Sequence, residues 1–205
     1  AYYPFNGNAD DESGNDRHAE IQNVVFSIDR HNAVERATSF NGTSSAMVLP
    51  DSTAFELQSH TLSVWIKYES GIIVASNEPH LKASGITLSR LDGGYIYNIA
   101  QGNKQTNQGG VVHQSRFTAP LDGWQHLAMT FDGKQKCAYA NGTLVRKDDL
   151  GSFKITYDNT PFVIGANSSL GFPETWFMGS LDDIRIYNRA LSEAEVKALY
   201  EFEKP

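Results

Sequence analysis

The sequence predicts an all-β fold of two packed antiparallel sheets, finished by one helix. Three observations carry that reading. Apolar and polar residues alternate over short runs, turn dipeptides end those runs, and about a dozen of them follow one another before a single helical pattern closes the chain.

Strands are expected, in order, at 24–28, 37–40, 46–49, 61–67, 71–76, 85–91, 95–100, 111–117, 124–131, 136–140, 143–146, 153–157, 162–165 and 180–187. In 61–67, Leu62, Val64 and Ile66 share one face, and Ser63, Trp65 and Lys67 the other. Asp92-Gly93-Gly94, Asp132-Gly133 and Asn141-Gly142 supply residues that accept the positive φ of tight hairpins. The helix is expected over 193–202, because Ser192 is a good N-cap, Glu195 completes a capping box and Leu191 can staple onto Val196. Its Ala194, Leu199 and Phe202 are expected to seal one end of the sandwich. No repeat or linker-like tract interrupts residues 1–205, so they read as one domain.

Composition narrows the function. The 24 acidic residues outnumber the 17 basic ones, for a formal charge of −7, and no basic cluster exceeds Arg146-Lys147. A phosphate backbone needs the opposite field, so no nucleic-acid partner is expected. No apolar run approaches the roughly 18 residues of a membrane span, so no membrane insertion is expected. The single Cys137 excludes an internal disulfide. The start Ala1-Tyr2-Tyr3-Pro4 reads as a mature fragment or excised module.

Three passages resemble the concanavalin A-like, laminin-G-like jelly-roll family, in the subgroup found as modules of bacterial secreted and surface proteins. They are Tyr3-Pro4-Phe5-Asn6-Gly7 through Asn15 with Ala37-Thr38-Ser39-Phe40-Asn41-Gly42; Leu62 to Lys67 with Trp124 to Gly133 and Tyr139-Ala140-Asn141-Gly142; and Phe177-Met178-Gly179-Ser180-Leu181-Asp182-Asp183 through Ser192. The resemblance implies a jelly-roll sandwich in a secreted or cell-surface protein, joined to other domains of a parent protein. It leaves function open, because this fold carries lectins, adhesion modules and some hydrolases.

Acidic residues gather at both ends of the chain, at Asp10, Asp11, Glu12 and Asp16 and at Asp182 and Asp183. A hard cation taking six to eight oxygens would relieve their repulsion. The resemblance implies one structural Ca²⁺ held by Asp11, the Asn41-Gly42 turn and Asp182. Parity supports Asp182, which shares it with core-facing Ile184 and Ile186. Asp183 is expected to pair with Arg185 or Arg189.

Catalysis is not expected. Related glucanases place paired carboxylates on one strand as Glu-x-Asp-x-x-Glu, because retaining hydrolysis needs them about 5 Å apart, and no such segment occurs. His126 reads as a sheet residue rather than a base. A glycan or other cell-surface ligand needs an aromatic platform with an amide-rich rim. Two regions qualify: Tyr95, Tyr97 and Asn98 beside the loop 101–108, and Asn167, Phe172 and Trp176 in the loop 167–176. The expected function is therefore a Ca²⁺-stabilised, non-catalytic carbohydrate-binding or adhesion module. A structural spacer is the alternative, and a polysaccharide hydrolase or lyase the remote one.

Overall fold

A computed structural model describes every residue except 51, 76–84, 92, 103–109, 121, 158–159 and 168–175. Fourteen described strands form two antiparallel sheets. Sheet A runs β12 (Thr143–Asp149), β11 (Gln135–Ala140), β10 (Gln125–Phe131), β6 (His60–Ala75), β14 (Met178–Tyr187), β4 (Ala37–Asn41), β3 (Val25–Ser27), with β1 (Tyr2–Tyr3) also on β14. Sheet B runs β2 (Glu20–Gln22), β5 (Ala46–Leu49), β13 (Phe162–Ile164), β6, β7 (Gly85–Leu91), β8 (Gly94–Gln101), β9 (Val111–Phe117).

β6 belongs to both sheets. The expected separate strands 61–67 and 71–76 are one bent strand, whose first part lies between β10 and β14 and whose end lies between β7 and β13. The bend is at Gly71, with φ of 104°, where a Cβ would sit 2.0 Å from the Trp176 carbonyl oxygen. No side chain fits there. The Asn141-Gly142 turn has positive φ at both residues, as the hairpin requires. The expected strand 153–157 pairs in no ladder. It is nevertheless tied to β7 and β8 by Gly85 N–H donating to the Thr156 carbonyl and Thr156 N–H to that of Ala100, with Phe153, Ile155 and Tyr157 turned into the core.

Between the sheets lies one core, in which Leu62, Val64 and Ile66 of β6 meet Leu127 and Met129 of β10, Ile86 and Leu88 of β7, and Phe177. Outside sheet A lies the helix α1 (Glu193–Glu203), with the Ser192–Glu195 capping box formed. Val196 and Leu199 pack on Ala128, Tyr139 and Leu191, and Tyr200 stacks on Trp65 at 5.8 Å. The helix therefore covers the outer face of sheet A rather than one end of the sandwich. Phe202 is 84% exposed and Ala194 is exposed, because the face that docks is the one carrying Val196, Tyr200 and Glu203.

Candidate functional site

In β8, alternation turns Tyr95, Tyr97 and Ile99 inward. Tyr97 is fully buried, its hydroxyl 2.6 Å from His60 Nε2, and Tyr95 stacks on Phe117 at 5.5 Å. Neither tyrosine can serve as a platform. The reason is the strand's polarity: the tyrosines occupy the parity that faces β10 and β11, where large side chains fill the sandwich.

Asn98 has the opposite parity and lies on the outer face of sheet B. There the register aligns Val48, Val163, Ala75, Thr87, Asn98 and Gln114 across six strands. At about 4.8 Å per strand, Val163 and Asn98 stand roughly 14 Å apart. The row is apolar at one end and polar at the other. Val163 clusters with Ala46 and Ala166, and Trp176 packs half-buried against them. Phe177, one residue on, enters the core edge-on to Phe40 at 5.6 Å, so Trp176 points the other way, as its neighbour's anchoring requires. At the polar end, Thr87 Oγ1 and Asn98 Oδ1 are buried atoms without a hydrogen-bond partner among the described residues. Gln114 is exposed. Asn167 is fully buried rather than at a rim. Phe172 and the loop residues 103–108 lie outside the described residues.

The four residues of the expected Ca²⁺ site do not share a point. Asn41 pairs with Met178, four residues along β14 from Asp182, which is about 13 Å at the strand rise. Its Oδ1 accepts the backbone N–H groups of Thr43, Ser44 and Ser45 and so builds its own turn, while Gly42 N–H donates to the Phe177 carbonyl. Asp11 accepts N–H groups from Tyr2, Ser13 and Arg17. Burial alone would raise its pKa, but those bonds win and hold it at about 2. Asp182 is paired with Arg30. Among the described residues, no three His, Cys, Asp or Glu side chains are grouped to hold a metal. The donor set does not fit a hard cation that needs six to eight free oxygens.

The parity that favoured Asp182 is also broken. A bulge between Asp182 and Arg185, with Asp183 at φ of 44°, lets Leu181 and Ile184 both face the core and sends both aspartates outward under α1. Asp183 pairs with Arg30 and Arg185, whereas Arg189 pairs with Glu195. The sequence offered no signal for Arg30. It is aimed by the turn in which Asp29 Oδ1 accepts the N–H groups of His31 and Ala33. His126 lies in β10 at 2.8 Å from Ser63 Oγ, and burial holds it down at about 3, so it stays neutral and is no base near neutrality.

Compared with known proteins, the profile of the concanavalin A-like lectin/glucanases superfamily matches residues 41–197. The chain belongs to that superfamily. No curated protein matches by sequence. Among solved structures, this superfamily member resembles domain 4 of AbnA, a GH43 extracellular arabinanase from Geobacillus stearothermophilus, in complex with arabinotriose: TM-score 0.72, 22% identity, covering 98% of this chain and 97% of that one. It also resembles the binding domain of Paraclostridial Mosquitocidal Protein 1, with TM-score 0.72 and 17% identity over 95% of this chain. The binding domain of Botulinum Neurotoxin DC in complex with SialylT is similar at TM-score 0.64 and 13% identity over 94%. The chain spans about half the length of the two toxin binding domains, 49% and 48%. At these identities the likeness shows the fold alone.

Proposed function

We propose that the chain is a non-catalytic glycan-binding module of a larger extracellular protein, and that the outer face of sheet B reads the sugar. The observation that carries this is the row through Thr87 and Asn98, whose buried oxygens lack hydrogen-bond partners among the described residues, on the face that also bears Trp176. Leaving polar atoms buried and unpaired costs about 1–3 kcal/mol each. The hydroxyls of an oligosaccharide long enough to span the row would repay that at one end while a ring stacks on the indole at the other. The full-length match to an arabinotriose-bound domain and the SialylT-bound toxin domain support a saccharide over a protein ligand. Against hydrolysis stands the adjacent pair Asp182 and Asp183, covered by Arg30 with Asp182 only 2% exposed, where a glycosidase needs both carboxylates open to the scissile bond.

The test is binding, by glycan array and then calorimetry, with arabino-oligosaccharides and sialylated oligosaccharides included. Asn98→Ala and Trp176→Ala should each weaken the best hit severalfold without lowering the wild-type melting temperature by more than a few degrees. No binding to any array member, or binding indifferent to both substitutions, would sink the reading. Release of reducing ends from a polysaccharide panel would show a hydrolase instead.

A further inference from the structure

We propose that the guanidinium of Arg30 is the resident cation of the carboxylate cluster, so that this chain closes its sandwich without the divalent metal its family resemblance implies. Three carboxylates converge beneath α1: Asp182 and Asp183 from the β14 bulge, and Glu203 from the last turn of the helix. Arg30 Nη1 donates to Asp182 Oδ2, Nη2 to Asp183 Oδ2 at 2.6 Å, and Nε to the Glu203 carbonyl at 2.8 Å. Its guanidinium carbon lies 4.8 Å from the Trp65 ring centre. Arg185 completes the set, with Nε on Glu203 Oε1 at 2.7 Å and Nη2 at 3.8 Å from Asp183 Oδ1.

Two of the three remaining oxygens are also spoken for. Tyr2 donates its hydroxyl to Asp183 Oδ1 at 2.5 Å, and Trp65 Nε1 donates to Glu203 Oε2 at 2.9 Å. Of the three carboxylates, both oxygens of Asp183 and Glu203 and one of Asp182 thus accept a hydrogen bond. A divalent cation would find no free shell of six to eight oxygens, and would have to displace a guanidinium held 6% exposed. A planar fork suits this geometry where a Lys ammonium would not, because the bulge sets two carboxylates side by side and the fork bonds both at once. The charge is also permanent, so Arg30 and Arg185 together offset two of the three carboxylates at any metal concentration.

The test uses the whole chain, stripped with chelator and shown metal-free by elemental analysis, then melted with and without millimolar Ca²⁺ against a NaCl control of equal ionic strength. A terbium titration read through Trp65, which flanks the cluster, reports any lanthanide bound there. The expected wild-type result is one melting temperature in all conditions and no saturable terbium emission. Arg30→Met keeps much of the bulk and loses the charge, and should melt roughly 5–10 °C lower. Should that variant fail to fold, Arg30→Lys, whose ammonium cannot bond both aspartates as a fork, should fold, melt below wild type and stay indifferent to Ca²⁺. The proposal is overturned if wild type gains several degrees from Ca²⁺ but not NaCl, if saturable terbium emission appears through Trp65, or if Arg30→Met melts with wild type. Because none of these readouts involves a sugar, their failure is separable from failure of the binding assays.

Discussion

The outer faces of the two sheets are built on the same alternation, and they differ in what their polar groups meet. On sheet A, Trp65, Arg185, Asp182 and Asp183 lie beneath α1 with their polar groups bonded to one another, to Arg30 and to Glu203; His126 Nδ1 and, further out on β3, Ser27 Oγ are exceptions without a partner among the described residues. On sheet B, Thr87 and Asn98 are left with buried oxygens unpaired among the described residues. A face that only closes a fold satisfies its polar atoms from within, because each unpaired one costs stability. On the function proposed above, the deficit at Thr87 and Asn98 is met by a ligand from outside.

Four changes test that contrast, from the largest effect to the smallest. Glu203→Ala removes the acceptor of Trp65 Nε1 and Arg185 Nε and leaves the Arg185 guanidinium only its 3.8 Å contact with Asp183. It should cost about 3–5 kcal/mol in urea unfolding and leave the glycan Kd of the remaining folded protein unchanged. A loss under 1 kcal/mol would mean that sheet A's network is dispensable.

Lys136 lies between the two sheets, 1% exposed, with Nζ donating to the carbonyls of Tyr97 and His113 at 2.8 and 2.6 Å. Burial pulls its pKa down to about 7, with Asp148 pulling the other way. Below pH 7 both folded and unfolded chains carry the proton and the full cost of a buried charge is present. Between pH 7 and 10 the unfolded chain binds more protons, so stability should rise with pH, by on the order of 2 kcal/mol from pH 7 to 9. Lys136→Met should flatten that rise; an unchanged slope would place the titration elsewhere.

Ser192→Ala deletes one half of the capping box and should cost about 1 kcal/mol. Because the helix covers only sheet A, that variant should bind sugar as wild type does, and a binding loss would join the two faces energetically. Thr87→Val has the smallest effect and the most telling sign. It removes a buried hydroxyl without a described partner, so the free protein should gain about 0.5–1 kcal/mol while glycan binding weakens. A destabilised variant would show that the hydroxyl serves the fold.

Much of this was legible in local pattern. The Asn141-Gly142 turn, the β10–β12 meander, the Ser192 cap and the β14 segment each follow from runs of neighbouring residues. What was not legible depended on distant partners or on one extra residue in a strand. Parity alone placed Asp182 inward, and the bulge at Asp183 reversed it. Arg30 bonds residues 152 and 153 positions away, which no spacing encodes. Tyr95 and Tyr97 failed as a platform because aromatic alternation marks a face without saying which face is covered. For Asn98 and Trp176, the same alternation taken from the other side of the sheet gives the outward placement.

The bent strand β6 carries a kinetic consequence. Since it is an interior strand of both sheets, neither sheet can be completed while the other is unmade, and no half of the sandwich is free to detach as a separate foldon. Its partners β7, β10, β13 and β14 come from across the remaining chain, so loops must close before their pairings are gained, which places folding among the slow, non-local β topologies of milliseconds to seconds. Amide exchange at Ile66 in one sheet and at Val74 in the other should therefore report a single global opening. A ligand held on sheet B would then slow exchange on sheet A, beneath a helix it never touches.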